Sequence, residues 1–350
     1  MRESNGKPNK RPRRASVCAS PTPDPRSLTP AHVFHVLPKQ ENQTVAAALR
    51  QWLPGQSWGQ IRRLMKGRQV MVSGNLCVDA GRRLKLQDVV KILPQPTAPP
   101  PKADDIKIRY LDEHVVVVEK PPGLTSNRHK DELQWPAKRR QLQPTLDELL
   151  PQVIARVDPR LRRHKGVPPP VRPVHRLDRE TSGLMVFART VRAERSLGEQ
   201  FRHHTTFRRY IAIVQGSVEA QTISSRLVRD RGDGRRGSTS VPNVGKPATT
   251  HIRPVDQLPG YTMIECQLET GRTHQIRIHL SELGHPVCGD KQYHQPLFQK
   301  PIPDASNAPR LALHAAEIGY THPLSGEEMH FSMPLPKDLK ELWERLKDST

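Results

Sequence analysis

The stretch HRLDRETSGLMVFA, residues 175–188, decides the fold of the larger part of this 350-residue chain. It places Asp178 in a polar turn and then enters an apolar run that is typical of a buried strand. At the entry of that run, Gly183 has no Cβ and therefore allows another backbone to come close. From the residues alone, Asp178 is either a cap of the turn or a carboxylate at the edge of a cavity. In the second case Arg176 or Arg179 keeps it ionised.

Apolar runs on both sides of this stretch predict further strands. The predicted strands lie at 114–119, 183–188, 209–216 and 261–268. The spacing of apolar residues predicts helices over 191–204 and 338–347. Because strands and helices do not alternate strictly, we expect an α+β fold with a mixed, largely antiparallel sheet. Residues 128–172 are rich in Pro, Lys and Arg and predict a basic, loop-rich excursion with one short helix near 145–157.

Four further stretches match one family in the expected order. They are HVVVVEKPPGL (114–124), RRYIAIVQG (208–216), LETGRTHQIRIHLSELGHPVCGDKQY (268–293) and the segment 310–336, which ends in HPLSGEEMHFSMPLP. Together with HRLD and TSGL, they resemble the motifs of the RluA-type pseudouridine synthases over residues 105–340. The resemblance implies the pseudouridine synthase fold and the isomerisation of uridines in RNA. Because this reaction neither gains nor loses atoms, the resemblance implies no cofactor and no metal.

The functional residues of that family carry over position by position. Asp178 matches the essential aspartate, and Tyr210 matches a tyrosine that stacks on the target base and helps in proton removal. Arg277 matches the basic partner of the aspartate, and Arg176 matches an arginine associated with the flipped-out nucleotide. Whether the carboxylate attacks the anomeric carbon or removes a ribose proton stays open.

The chain departs from the family pattern at several places. Arg208 stands where the family usually has lysine, which keeps the charge but changes the shape. TSNRHK, residues 125–130, replaces a valine-rich stretch. Neither the basic loop 128–143 nor the tail 1–30 has a counterpart in the family. We expect these departures to affect RNA contacts and specificity more than chemistry.

The segment THQIRIHLSELGHP, residues 273–286, fits both a strand and a helix. About twelve uninterrupted residues are long for a strand, so we predict a helix with Thr273 as its N-cap. The histidines His274, His279 and His285 complete no known metal-ligand spacing with a carboxylate or a cysteine. We therefore predict hydrogen-bonded structural roles for them rather than a metal site.

The N-terminal part of the chain predicts a separate basic unit. Residues 42–95 contain two helical patterns, a hairpin and a last strand. The second helix, which Ser57 caps and Gly67 ends, has a basic face. The basic residues are Arg62, Arg63 and Lys66 in the helix and Arg68 just after it. The pattern resembles the S4 domain, a small α/β RNA-binding module, with Ser73 in place of its usual asparagine.

The composition limits the partners and the compartment. The chain carries 56 Lys and Arg against 35 Asp and Glu, a formal net charge of +21. Such a charge attracts polyanions, and we favour nucleic acid over a membrane as the partner. No apolar run approaches the roughly 18 residues of a membrane span, and no apolar segment follows the first methionine. Four cysteines lie far apart without a CxxC pair, which excludes a disulfide scaffold and an ordinary zinc ribbon. We therefore expect a cytoplasmic protein.

The patterns together predict four parts. These are a disordered basic tail over 1–41, an S4-like RNA-binding domain over 42–95, a Pro-rich linker over 96–104 and a catalytic domain over 105–350. The predicted function is pseudouridine formation in large-subunit ribosomal RNA by a monomer that does not associate with membranes. Transfer RNA is the alternative substrate. The alternative functions are a non-catalytic RNA-binding or ribosome-assembly protein and a glycosidic-bond hydrolase, although a hydrolase normally needs a second carboxylate.

Overall fold

The computed structural model describes residues 32–73, 75–94, 96, 99–128, 132–158, 169–231, 235–296 and 299–349, without the side chains of residues 75, 138 and 139. The described residues fall into two compact units that divide between residues 97 and 98. The predicted tail over 1–30 and part of the basic loop 128–143 lie outside them. None of the helices in these ranges combines the length and the apolar character that a membrane span requires.

The smaller unit is a four-stranded antiparallel sheet with two helices. Its strands are β1 (His32–His35), β2 (Val70–Val72), β3 (Asn75–Leu76) and β4 (Val89–Ile92), in the order β1-β4-β2-β3. Its helices are α1 (Val45–Trp52) and α2 (Trp58–Lys66). As predicted, Ser57 caps α2, because its Oγ accepts a hydrogen bond from the Gln60 amide at 3.2 Å, and Gly67 ends the helix.

Residues 32–41 belong to this unit, whereas the sequence placed them in a disordered tail. All four residues of β1 pair with β4, and Val36 and Gln40 just after β1 are buried. Within β1, positions alternate only between half-buried and exposed, so the strand shows no strong apolar pattern. Its order comes from pairing with a strand that lies far along the chain, which local sequence does not reveal.

The larger unit is built on an 11-stranded sheet. Its strands are β5 (Lys107–Leu111), β6 (Val115–Lys120), β7 (Arg172–Pro173), β8 (Ser182–Ala188), β9 (Phe207–Gln215), β10 (Gln221–Val228), β11 (Gly237–Thr239), β12 (Lys246–Leu258), β13 (Tyr261–Leu268), β14 (Leu313–Thr321) and β15 (Glu328–Ser332). The main path runs β11-β10-β12-β13-β9-β14-β8-β6-β5, with β15 beside β14 and β7 beside β8. Among the described strands, β8 and β14 are parallel and the other neighbours are antiparallel. The predicted α+β fold with a mixed, largely antiparallel sheet is confirmed.

Helices cover both faces of this sheet. They are α3 (Ala137–Leu142), α4 (Leu146–Val157), α5 (Val191–His203), α6 (Gln275–Glu282) and α7 (Lys337–Asp348). Each face of the sheet packs in its own core, and the valines of β6 alternate between the two. Val115 and Val117 pack in the core under α5. Val116 and Val118 pack instead in the larger core that α4, α6 and α7 share. The described residues of the excursion over 128–172 hold two helices, α3 and α4, where one was predicted. The sequence did not indicate α3 because its charged residues show no apolar periodicity.

Gly183 lies where β8 meets β14. Its φ is +128°, and a Cβ on this residue would lie 2.2 Å from the Ala315 carbonyl oxygen. Two residue pairs form this parallel contact, His314 with Ser182 and Ala315 with Gly183. The close backbone approach that the sequence predicted at this glycine is therefore present.

Replacing Gly183 with alanine is expected to lower the free energy of unfolding of the larger unit by about 3 kcal/mol or more, because the Cβ overlaps the β14 backbone at an unfavourable φ. Urea unfolding measures the change, with hydrogen exchange of the β8 amides as a readout specific for this unit. The matched control is Gly198→Ala in α5, where a Cβ meets no atom within 4 Å. The free energy of unfolding of this control should rise by about 0.5–1 kcal/mol. A Gly183→Ala protein as stable as the parent would contradict the close approach.

Candidate active site

A cavity of about 370 Å³ opens in the larger unit, within the range of about 300–1,000 Å³ that is typical of ligand sites. Its wall comes from the turn before β8, the end of α5, the start of β9 and the segment that enters α6. The predicted residues Arg176, Asp178, Tyr210 and Arg277 all line it. The fold thus brings together four side chains that lie far apart in the sequence.

A network of three charged side chains forms one end of the cavity. Arg277 Nη1 lies 3.2 Å from Asp178 Oδ2, and the Asp178 side chain is 15% exposed. Behind this pair, Asp290 accepts hydrogen bonds from Arg277 Nε at 2.7 Å and from Nη2 at 2.8 Å. Burial acts to raise the pKa of Asp290, but its hydrogen bonds with Arg277 hold that pKa below its usual range. The guanidinium is therefore fixed from behind and presents Nη1 to Asp178.

The partner of Asp178 is neither of the two arginines that neighbour it in sequence. Arg179 turns away, since its Nε donates to the Gly123 carbonyl at 3.1 Å and also lies 3.5 Å from a Glu180 carboxylate oxygen. Arg176 is an exposed residue at the cavity and forms no ion pair with a carboxylate of the described residues. The ion pair is instead the one that the family resemblance implied, with Arg277, which lies 99 residues along the chain.

A buried lysine fixes the turn that carries the aspartate. Lys120 Nζ donates to three backbone carbonyls, those of Pro121 at 2.9 Å, Leu124 at 2.7 Å and Arg179 at 3.0 Å. Burial lowers the pKa of Lys120 to about 7. The lysine thus ties the turn after β6 to the residue that follows Asp178.

The divergent segment TSNRHK also holds this region. Ser126 Oγ donates to the Leu177 carbonyl at 2.7 Å and accepts from the Leu177 amide at 3.0 Å. Arg128 donates to both carboxylate oxygens of Glu148, at 2.9 Å and 2.6 Å. Ser126 of this segment therefore fixes the residue just before the aspartate, while Arg128 ties the segment to α4.

Two tyrosines flank the charged network. Tyr210 on β9 is buried, and burial raises its pKa to about 12, so it is a protonated phenol at neutral pH. The Tyr293 ring lies 4.9 Å from Arg277 Cζ, a distance at which cation–π attraction operates. The Tyr293 hydroxyl is hydrogen-bonded to His274 Nδ1 at 2.8 Å, and His274 Nε2 lies 3.7 Å from Asp178 Oδ1. Each oxygen of Asp178 thus faces a nitrogen whose side chain is itself held by a second group.

Helix α6 forms as predicted, but its N-cap is His274 rather than Thr273. His274 adopts a φ of 59°, and its side chain makes no capping hydrogen bond. Gln275 instead holds the segment that enters the helix, because its Oε1 accepts from the Arg272 amide at 3.0 Å and from the Thr270 hydroxyl at 2.8 Å. The N-cap position is thus taken by a histidine whose side chain contacts the site, although threonine is the residue usually preferred there.

The other two histidines of this segment are also hydrogen-bonded. His279 contacts the Ser225 and Thr250 hydroxyls, both at 3.0 Å. His285 Nδ1 is hydrogen-bonded to the Gln215 carbonyl at 2.8 Å. Burial lowers the pKa of His279 to about 4, so its ring is neutral at physiological pH. Among the described residues, no three His, Cys, Asp or Glu side chains are grouped so that they could hold a metal ion.

The residues that the sequence reasoning missed are those that position the site. They are Lys120, Ser126, Asp290 and Tyr293. The signal that could have found three of them is their place inside the matching stretches 114–124 and 268–293. Ser126 lies in the segment that departs from the pattern, so no signal pointed to it.

Comparison with known proteins gives the family. The family model described as RNA pseudouridylate synthase matches residues 114–282. The uncharacterized RNA pseudouridine synthase YlyB of Bacillus subtilis is 34% identical over 295 residues, which cover 82% of this chain and 89% of that protein. The ribosomal large subunit pseudouridine synthase D of Zymomonas mobilis is 34% identical over 285 residues, which cover 78% of this chain and 84% of that protein.

A solved structure supports the fold. The human protein titled RNA Pseudouridylate Synthase Domain Containing 4 aligns with a TM-score of 0.54 at 23% identity, over 69% of this chain and 92% of that chain. The fold and the sequence matches together define an isomerase that modifies RNA. More narrowly, this chain belongs to the RluA-type pseudouridine synthases, which convert uridine in RNA to pseudouridine.

Replacing Asp290 with asparagine is expected to slow pseudouridine formation about 10- to 100-fold, mainly in kcat, because Arg277 loses the charge that fixes it beside Asp178. The free energy of unfolding should also fall by about 3–5 kcal/mol, since a buried guanidinium loses a partner. Single-turnover tritium release from labelled RNA and urea unfolding measure the two effects.

The matched control for this substitution is Asp304→Asn. Asp304 is exposed, and it accepts the Gly289 amide at 2.6 Å without an arginine or lysine partner among the described residues. The control should keep a rate close to that of the parent. An Asp290→Asn enzyme with the parental rate would show that this carboxylate does not position the guanidinium.

Proposed function

We propose that this pseudouridine synthase modifies uridines of large-subunit ribosomal RNA, with Asp178 as its catalytic carboxylate. The observation that carries the catalytic assignment is the 3.2 Å contact between Asp178 and the buried Arg277 inside the cavity. The substrate class rests on relatives whose printed names specify the ribosomal large subunit, at 32% to 38% identity. Transfer RNA remains the competing substrate, and the experiment below compares the two.

The cavity supplies what the isomerisation requires. The glycosidic bond must break, the uracil must turn, and the ribose must be rejoined through a ring carbon. Asp178 either attacks the anomeric carbon or removes a ribose proton, and in both routes Arg277 fixes the direction of its oxygen. A uridine in folded RNA must first be extruded, which costs a few kcal/mol.

Tyr210 acts by stacking on the extruded base. Stacking on an aromatic side chain contributes about 1–3 kcal/mol per base, which offsets much of the extrusion cost. With a pKa raised to about 12 by burial, Tyr210 keeps its proton at neutral pH and is not a ready base. Arg176, exposed at the cavity, is in a position to contact the flipped-out nucleotide.

The smaller unit is the proposed S4-like RNA-binding domain, extended to begin at residue 32. Its helix α2 exposes three basic side chains and is followed by a fourth, partly buried one. These residues are Arg62, Arg63, Lys66 and Arg68. They are suited to grip backbone phosphates and to fix the register of the RNA rather than to read its bases. We further propose that the protein works as a monomer in the cytoplasm.

The alternative functions fit the site less well. A glycosidase normally needs two carboxylates roughly 5–9.5 Å apart, whereas Asp178 is the one carboxylate among the described residues that line the cavity. A non-catalytic RNA-binding protein would not require a carboxylate held by a buried arginine. Analysis of the reaction product distinguishes both alternatives from a synthase.

Tritium release from RNA labelled at C5 of uridine tests the proposal, because this carbon exchanges its hydrogen for the new glycosidic bond. The parent enzyme should release tritium from transcribed large-subunit ribosomal RNA and not from total transfer RNA. Asp178→Asn should abolish the release while it retains RNA binding, since the variant keeps the shape of the side chain and loses its charge. Mapping of pseudouridine in the product then identifies the target uridine.

Other outcomes point elsewhere. Release from transfer RNA alone would replace the proposed substrate. Release that persists in Asp178→Asn would remove this residue from the chemistry, and an abasic product would indicate a hydrolase. Tight binding without release from either RNA would favour the binding-protein function.

Replacing both Arg62 and Arg63 with glutamine removes two positive charges and should flatten the salt dependence of RNA affinity. For each phosphate that the protein no longer neutralises, the slope of log Kd against log salt should fall by about 0.7–0.9. The matched control neutralises Lys337 and Lys340, two exposed lysines of α7 outside the cavity wall, and should leave the slope unchanged. Equal slopes for parent and Arg62→Gln/Arg63→Gln protein would mean that α2 does not touch RNA phosphates.

A further inference from the structure

Three arginines are buried as whole residues in the described part of the chain. Arg128 lies between carboxylates, with Glu148 at 2.6 Å. Arg277 has Asp290 at 2.7 Å and Asp178 at 3.2 Å. Arg208, which is 7% exposed, has no carboxylate of a described residue within 4 Å. It is therefore a buried cation without a counter-charge, and it lies in the wall of the active-site cavity.

The guanidinium of Arg208 is held firmly but keeps donors to spare. Its Nη2 donates to the Glu269 carbonyl at 2.9 Å, with the Leu268 carbonyl at 3.5 Å. Its Cζ lies 5.8 Å from the centre of the Phe201 ring. A Cβ at position 271 would lie 2.6 Å from Nη1, so Gly271 makes the room that this group occupies. Nε has no hydrogen-bond partner among the described residues, and Nη1 has none either.

Further positively charged side chains line the cavity, and its one carboxylate among the described residues, Asp178, is paired with Arg277. Arg202 and Arg272 supply this charge, whereas burial lowers the pKa of His204, which also lines the cavity. The nearby carboxylate of Glu269 is engaged elsewhere, at 2.7 Å from His251 Nε2. Burying a charge without a partner is costly, and burial lowers the pKa of Arg208 from its usual value. A guanidinium nevertheless stays charged at physiological pH, so an anion from outside the chain is the partner that would relieve this cost.

We propose that Arg208 binds a phosphodiester group of the RNA strand next to the target uridine. The assignment rests on the proposed catalytic site, because Arg208 and Tyr210 stand two residues apart on the same face of β9 and both line the cavity. Two residues of a strand span about 6.4–6.8 Å, so one nucleotide can place its base on the tyrosine and its phosphate on the arginine. An anionic phosphate, rather than a neutral uracil carbonyl, supplies the charge that the site lacks. Arg–phosphate contacts are also among the strongest hydrogen-bonded pairs.

Single methylphosphonate linkages, which carry no charge, test the proposal directly. The RNA is the ribosomal RNA fragment around the mapped uridine, with the neutral linkage on its 5′ side, on its 3′ side or at a remote position. The parent enzyme should lose about 10- to 100-fold in kcat/KM at one flanking linkage and little at the remote one. On unmodified RNA, the kcat/KM of Arg208→Gln should be lower than that of the parent by about the same factor. Neutralising that linkage should lower the kcat/KM of this variant little further.

Two further variants separate the subsite from general effects. Arg208→Lys keeps the charge and should retain most of the activity and part of the sensitivity to the neutral linkage. It also provides the measurement if Arg208→Gln does not fold, which thermal unfolding reports. Arg195→Gln removes an exposed charge of α5 outside the cavity wall and should keep the parental rate and sensitivity.

Two results would overturn the proposal. One is a parent enzyme that tolerates a neutral linkage on both flanks of the uridine. The other is an Arg208→Gln enzyme with the full parental sensitivity, which would place the phosphate on another residue. The failure of the proposed function is distinguishable, because it appears as the absence of product from unmodified RNA with the parent enzyme.

Discussion

The guanidinium of Arg277 is shared by two carboxylates, and the geometry of the cavity depends on it. Asp290 accepts hydrogen bonds from two of its nitrogens, and Asp178 accepts one from the third. Three desolvated charges in one network are stable only when each has its partners. The same network selects the direction in which the Asp178 carboxylate points. Reactivity and structural integrity at this site therefore rest on one set of contacts.

The turn around Asp178 is held mainly through backbone atoms. Lys120 binds the carbonyl that follows the aspartate, and Ser126 binds both backbone groups of the residue that precedes it. Contacts of this kind constrain the chain path without specifying the neighbouring side chains. The lysine contact does not involve the divergent segment TSNRHK, so it holds the carbonyl after the aspartate whatever side chains that segment carries.

Much of the fold could be predicted from the sequence, because long apolar runs and capped helices are local signals. The strand over 261–268 and the Ser57 cap show this directly. Contacts between distant segments could not be predicted in the same way. β1 is ordered by β4, which no local pattern indicates. The residues around Asp178 pointed to its neighbours Arg176 and Arg179, and it was the family resemblance that indicated Arg277, 99 residues away. The prediction of an N-cap at Thr273 was wrong, because the adjacent His274 contacts residues of the site and takes the N-cap position itself. Capping rules do not include contacts of this kind.

The sheet of the larger unit has a seam where β8 meets β14. Two residue pairs join these strands, whereas six join β6 to β8 and seven join β13 to β9. Asp178 precedes β8 on one side of the seam, while Tyr210 on β9 lies on the other side, two strands away. A small shear at this junction would change the separation between the carboxylate and the tyrosine without breaking either half of the sheet. Along the main path of this sheet, the junction with the fewest residue pairs among the described strands is thus also the one that separates Asp178 from Tyr210.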